Sequence, residues 1–125
     1  MLFRSDSYEL FIQNSTICQW GKYGIYIGPN MKRTIIQNNL IYRNNMGGFS
    51  GGTSGGNGIH IASNATDFTI QNNQIGIRLP IEGTMPENQV NGIYIGSGAN
   101  YFMVTGNMLF GNTGLDGYFV ENEKG

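Results

Sequence analysis

The stretch Gly24-Ile25-Tyr26-Ile27 decides the fold, because it returns twice along the chain at a fixed interval. The copies are Gly58-Ile59-His60-Ile61 and Gly92-Ile93-Tyr94-Ile95, so the steps from 24 to 58 and from 58 to 92 are both 34 residues. Gly117-Tyr118-Phe119-Val120 is a looser fourth copy. Self-similarity at a fixed period of this length is typical of solenoids, in which each repeat packs on its neighbours.

The second half of each repeat keeps its register except where residues are inserted. The pattern Ile-Gln-Asn begins at Ile12, Ile36 and Ile70, but 12 residues separate Ile12 from Gly24 whereas 22 separate Ile36 from Gly58. About ten residues are therefore inserted in each middle repeat, and their glycine and proline content predicts loops. The predicted inserted loops are residues 44–57 and 77–91.

Apolar residues alternate with period two in three short segments of each repeat, which predicts three strands per repeat. Such strands are too short to bury an apolar face alone, but stacking equivalent strands about 4.8 Å apart builds three parallel sheets around one core. The prediction is an all-β fold, a single-stranded parallel β-helix of about four to five coils without significant helix. Because parallel crossovers are right-handed in about 98% of cases, the coil is expected to be right-handed. One domain, 1–125, would have coils starting near residues 1, 24, 58, 92 and 117.

Four columns of equivalent residues are predicted to point inward, and all of them are apolar. At the turn after the second strand, Asn39, Asn73 and Asn107 share one offset, with Ser15 as a weaker first member. A side-chain amide there can donate to one coil and accept from the next, so an asparagine ladder is predicted at this corner. The inward columns are Ile25, Ile59, Ile93 and Tyr118; Ile27, Ile61, Ile95 and Val120; Ile12, Ile36, Ile70 and Val104; Ile17, Ile41, Ile75 and Leu109.

These Gly-Ile-x-Ile and Ile-x-Asn-Asn-x-Ile units resemble the right-handed β-helix repeats of pectate-lyase-like proteins. Within that superfamily, the abundance of asparagine and glycine, the low charge and the inserted loops look most like bacteriophage tailspikes. The resemblance implies a chain that binds bacterial surface polysaccharide and, where it carries a catalytic site, cleaves it. It also implies a side-by-side homotrimer on a virion tail or in another extracellular setting.

Composition excludes several other functions. Only 12% of the 125 residues are charged and the formal net charge is -1. Nucleic acid and anionic membranes bind basic patches, so neither is an expected partner. No apolar run approaches the roughly 18 residues of a membrane span. The lone Cys18 permits no intrachain disulfide and is predicted to be a packed apolar residue.

Carbohydrate binding is predicted on the outer side of the first sheet. The residues between its inward isoleucines form an aromatic column of Tyr26, His60, Tyr94 and Phe119, with the inserted loops at its edge. Aromatic faces can carry the apolar C–H faces of sugar rings, but the same column can equally be cross-strand packing that stabilises a sheet. Arg78 could pair with a sugar carboxylate or with Glu82.

The residue types leave two kinds of catalysis open. His60 could act as the general base of a polysaccharide lyase, with Tyr26 or Tyr94 as acid. A hydrolase needs two carboxylates about 5–5.5 Å or about 6.5–9.5 Å apart, and the candidates are Glu82, Glu87 and Asp116. Calcium-dependent pectate lyases carry aspartates on the first sheet, and this chain has none at the outward positions there, so neither a metal nor another cofactor is expected.

Charged residues also recur at one position of the repeat, on the outer surface. Glu9, Arg33 and Asp67 share one offset and should form a ladder of alternating charge on the outer surface, where ion pairs contribute little stability. The rival to carbohydrate recognition is a structural or adhesin segment whose outer faces serve oligomerisation without enzyme activity. The inserted loops beside an aromatic column favour recognition, because a simple stalk needs neither.

Overall fold

A computed structural model gives the architecture of the protein as three parallel β-sheets. The residues described by the structure are 2–3, 9–76, 89–114 and 118–120. The first sheet has the order β1 (Leu2–Phe3), β4 (Ile25–Ile27), β7 (Ile59–Ile61), β10 (Ile93–Ile95) and β13 (Tyr118–Val120). The second has β2 (Leu10–Gln13), β5 (Lys32–Gln37), β8 (Thr66–Gln71) and β11 (Asn100–Thr105). The third has β3 (Thr16–Cys18), β6 (Leu40–Tyr42), β9 (Gln74–Ile75) and β12 (Met108–Leu109).

The strand register follows the 34-residue repeat. Ile59 pairs in parallel with Ile25 on one side and with Ile93 on the other, and in the second sheet Ile70 pairs with both Ile36 and Val104. The predicted parallel stacking is therefore confirmed, and the fold is all-β and consistent with a parallel β-helix. Within the described ranges the only helical element is a single 3₁₀ turn, Gly52–Ser54, in the first inserted loop.

The core consists mainly of isoleucine side chains stacked between the sheets. Each described isoleucine of the four predicted inward columns is buried, and Val104 and Leu109 pack against the same cluster. The glycine that opens each repeat is required by close approach: a Cβ on Gly24 would lie 2.5 Å from the carbonyl oxygen of Gly58, and one on Gly58 would lie 2.8 Å from that of Gly92. Any larger residue would push adjacent coils apart.

The predicted asparagine ladder joins the second and third sheets. The Nδ2 of Asn39 donates to Oδ1 of Asn73, and the Nδ2 of Asn73 donates to Oδ1 of Asn107, both at 3.0 Å. Each amide also donates to a carbonyl of the preceding coil, as Asn39 does to Ile12 at 2.9 Å. Because these amides lie at a mostly buried corner, their mutual bonds remove a desolvation cost of about 1–3 kcal/mol per group.

A second polar ladder, which the sequence did not predict, follows the third sheet. Nδ2 of Asn44 donates to Oε1 of Gln89 at 2.7 Å, and Nε2 of Gln89 donates to Oδ1 of Asn112 at 2.9 Å. Gln89 is fully buried. Asn44 and Asn112 are two repeats apart, and Gln89 supplies the intermediate amide from the end of the second insert.

Candidate functional site

The predicted aromatic column exists on the outer side of the first sheet. The ring of His60 stacks on Tyr26 at 5.1 Å between centroids and on Tyr94 at 4.7 Å. Tyr23, which precedes the repeat glycine, lies across the column with its ring 4.6 Å from His60 and 4.8 Å from Tyr26. Offset and tilted rings at such distances attract one another beyond the area that they bury.

The column is closed rather than open, which corrects the expectation of an exposed aromatic surface. His60 is only 6% exposed and Tyr94 only 2% exposed, while Tyr26 is half-buried. Tyr23 covers part of the column, and Lys22 lies 5.4 Å from the Tyr23 ring and 5.0 Å from the ring of Phe49 in the first inserted loop. His60 and Tyr94 are therefore largely covered and form the core of a small aromatic cluster, while carbohydrate binding at the column stays a prediction.

His60 is held neutral by its surroundings. The Nδ2 of Asn57 lies 2.9 Å from Nδ1 of His60, and since an amide NH₂ only donates, Nδ1 accepts and the proton sits on Nε2. Burial, aided by the positive charge of Lys22, lowers the pKa of His60 from 6.5 to about 4. A neutral imidazole with its acceptor nitrogen already engaged is poorly arranged to remove a proton from substrate.

Of the five remaining predicted site residues, four lie outside the described residues and one is described only by its backbone. Arg78, Glu82, Glu87 and Asp116 lie outside the described residues, so their roles stay predictions. Phe119 continues the first sheet, where its backbone pairs with that of Tyr94. Its side chain lies outside the described part of the chain.

A second feature, missed at the sequence level, is a groove along the corner between the second and third sheets. We call it the amide groove; it has a volume of about 610 Å³ and crosses four successive coils. One wall contains an amide column of exposed asparagines at the end of the second-sheet strands, and the other contains the outward residues of the third sheet. Its lining includes Asn14, Asn38, Asn72, Gly106, Leu40 and Met108.

The asparagines of the first wall are held in place by backbone conformation. Asn14, Asn38 and Asn72 have φ angles of 55°, 57° and 55°, in the left-handed region that asparagine tolerates better than most residues. Gly106 occupies the same position in the next coil with φ 67°. The three side chains are exposed. The Gln-Asn-Asn repeat contained this signal, because the first asparagine of each pair shares one offset just as the second does.

The chemistry of the amide groove is neutral and polar, with apolar patches. Amides present both a donor and an acceptor, and the hydroxyl groups of Ser15 and Thr16 present both as well. Leu40 and Met108 add apolar surface on the opposite wall, and none of the described residues that line the groove is charged. Such a lining fits a ligand with many hydroxyl groups and some C–H surface.

Among the described residues no group of three or more His, Cys, Asp or Glu side chains could hold a metal ion. Within the same ranges no helix is long and apolar enough to cross a membrane. Comparisons with protein-family models, with curated proteins and with solved structures find no significant match.

Proposed function

We propose that the chain is a carbohydrate-binding segment of a right-handed parallel β-helix, similar to pectate-lyase-like and tailspike proteins, and that it recognises a bacterial surface polysaccharide outside the cell. The amide groove is the binding site. The observation that carries the proposal is the column of exposed amides, present in three of the four coils along a groove of about 610 Å³.

Repetition along the amide groove supports the proposal. Successive coils are about 4.8 Å apart, so the groove offers an equivalent amide at each step from Asn14 through Asn38 to Asn72, and Gly106 follows in the fourth coil. A polysaccharide is itself a repeating chain of hydroxyl donors and acceptors, and an extended glycan lying along the groove could bond to Asn14, Asn38 and Asn72 in turn. The volume falls within the range of about 300–1,000 Å³ typical of ligand sites.

Neutral sugars are the favoured ligand class, and binding rather than cleavage is the favoured activity at this groove. Carboxylated sugars bind best to arginine or lysine, and the amide groove has no charged side chain within the part of the chain that the structure describes. Among residues 2–3, 9–76, 89–114 and 118–120, the lining also lacks a carboxylate or imidazole that could transfer a proton. Cleavage would depend on Glu82, Glu87 and Asp116, which lie outside the described residues.

Glycine substitutions test the proposal with little disturbance of the backbone. Gly106 naturally occupies the column, so Asn38→Gly and Asn72→Gly remove the amides and keep a residue that accepts positive φ. Asn64→Gly is the matched control, because Asn64 is exposed with φ 64° at another turn, where Gly98 is its equivalent in the next coil. Binding is measured by calorimetry on a panel of neutral and acidic bacterial polysaccharides.

The double variant should bind neutral glycan about tenfold or more weakly, since each lost hydrogen bond contributes about 1 kcal/mol. Asn64→Gly should bind as the unmodified protein does. Unchanged binding in the double variant would refute the groove assignment. If Tyr26→Ala alone abolished binding, the site would instead be the aromatic column.

A structural role is the second candidate, and one observation favours it. The outer side of the second sheet exposes Phe11, Tyr101 and Met103, three large apolar side chains on one face. Exposed apolar side chains gathered on one face are typical of surfaces that contact another protein. A segment that binds no glycan but associates through this face would match the alternative.

A further inference from the structure

The outer side of the second sheet carries a pattern of charges that is complementary to itself after a two-fold rotation. One residue of each coil stands at the start of the strand with φ between 51° and 58°, and we call this set the charged column. From the first coil to the fourth it is Glu9, Arg33, Asp67 and Tyr101. The signs therefore run negative, positive, negative and neutral, and Tyr101 is 79% exposed.

The existing ion pair in the charged column leaves Arg33 available to a partner. Its Nη1 lies 3.4 Å from Oε1 of Glu9, and both side chains are more than 60% exposed. A pair this long and this exposed contributes little stability and is readily exchanged. A carboxylate from another molecule could share the guanidinium without breaking a buried contact.

We propose that two copies of this chain pair face to face through their second sheets, with their coil axes antiparallel and a two-fold axis along the strand direction. This rotation places each column of one copy opposite the same column of the second copy, with the coils in reverse order. Arg33 then faces Asp67 of the second copy, Asp67 faces its Arg33, and the Tyr101 hydroxyl faces its Glu9. Parallel coil axes would place the charged column against glutamines and would satisfy none of these charges.

The other two columns of the same face also match under this operation. In the middle of each strand, the column of Phe11, Ile35, Thr69 and Met103, which is apolar except for Thr69, pairs Phe11 with Met103 and Ile35 with Thr69. At the end of each strand, Gln37 faces Gln71, and these two side chains already share a hydrogen bond of 2.6 Å within one copy. A hollow of about 330 Å³ between the charged and apolar columns, near the centre of the face, can receive side chains of the second copy.

The size of the face sets the strength of pairing. Four strands about 4.8 Å apart and six residues of about 3.3 Å each give a face of roughly 15 by 20 Å. Two such faces bury about 600 Å² together, less than the about 1,200 Å² at which specific interfaces become stable. Pairing should therefore be weak, dependent on concentration and weakened by salt.

Charge exchange between two variants tests the pairing. Sedimentation equilibrium, carried into the millimolar range, is measured for the unmodified chain, for Arg33→Asp, for Asp67→Arg, for their equimolar mixture and for the double variant. Each single variant opposes like charges at two symmetric points, so self-association should weaken about tenfold or more. The mixture and the double variant restore opposite charges and should recover pairing.

The double variant has the same net charge as the unmodified chain, so it controls for non-specific charge effects. Both positions are exposed, and Arg33 already shows that arginine accepts this backbone conformation, so circular dichroism and thermal melting should be unchanged. A monomer at every concentration, the side-by-side trimer that the tailspike resemblance implies, or a mixture that stays monomeric while the unmodified chain pairs would each overturn the proposal.

Discussion

Acid should destabilise the protein through His60, and the structure gives the size of the effect. The neutral ring is buried in the aromatic cluster and accepts a hydrogen bond from Asn57. Its pKa in the folded protein is about 4 against 6.5 for an ordinary histidine, because burial and the charge of Lys22 oppose protonation. Between these two values the unfolded chain binds the proton more readily, so stability is complete above about pH 6.5 and is lost as the pH falls toward 4.

The magnitude follows from the two pKa values. From pH 8 to pH 5 the free energy of unfolding should fall by about 2 kcal/mol, and at pH 4 the loss should reach about 3 kcal/mol. The interval from pH 8 to pH 5 is the informative one, because ordinary carboxylates titrate mainly below it. A domain stable by about 5–15 kcal/mol would lose a measurable part of its stability.

Urea unfolding at pH 8 and pH 5 measures this loss, with His60→Phe as the comparison. Phenylalanine keeps a ring in the column but cannot titrate, and any cost of depriving Asn57 of its acceptor is the same at both pH values. The unmodified protein should lose about 2 kcal/mol more than the variant over this interval. Equal losses in the two proteins would refute the reasoning. His60 is the only histidine of the chain, so an NMR titration of its ring gives the folded pKa directly.

Two further predictions concern buried polar groups. Thr34 lies in the core, and its hydroxyl oxygen has no hydrogen-bond partner, so Thr34→Val should raise the free energy of unfolding by about 1 kcal/mol. Thr69→Val on the outer face is the control and should change this free energy little. A loss of stability of Thr34→Val in urea unfolding would contradict the prediction. Gln89→Leu removes the middle amide of the second ladder and should lower the free energy of unfolding by about 2–4 kcal/mol. Gln74→Leu, on the exposed side of the third sheet, is the control and should change this free energy little. Equal melting temperatures for the two variants would show that the ladder contributes no stability.

The parts of the fold that repeat could be predicted from the sequence. A 34-residue step places Ile25, Ile59 and Ile93 in one column whatever the coil geometry, and their burial follows from alternation. The asparagine ladder was predictable for the same reason. The second ladder could not be predicted in this way. A step of 34 residues from Asn44 leads to Arg78, but the amide that completes the ladder belongs to Gln89, eleven residues further along the chain.

The candidate site was harder to predict because exposure depends on what covers a strand. Alternation correctly placed His60 and Tyr94 on the side of the sheet away from the isoleucine core, but it carries no information about a covering residue. Tyr23 covers the column, and its equivalents one and two repeats later are Asn57 and Asn91, so no repeated aromatic residue marks this role. The amide groove was overlooked for a different reason: asparagine at a turn is ordinary, and only the corner between two sheets turns a column of them into a groove.

The two proposals use different residues of the same coils and are compatible in space. A two-fold axis along the strand direction keeps the start and the end of each strand on the same sides in both copies. The amide grooves follow the strand ends of the second sheet, so the two grooves of a pair lie along one edge of the interface and run in opposite directions. A long repeating ligand strengthens a weak pair of this kind. A polysaccharide held in one groove raises the effective concentration of that polysaccharide at the groove of the second copy. A small interface is then sufficient for function, because the glycan itself contributes to holding the two copies together.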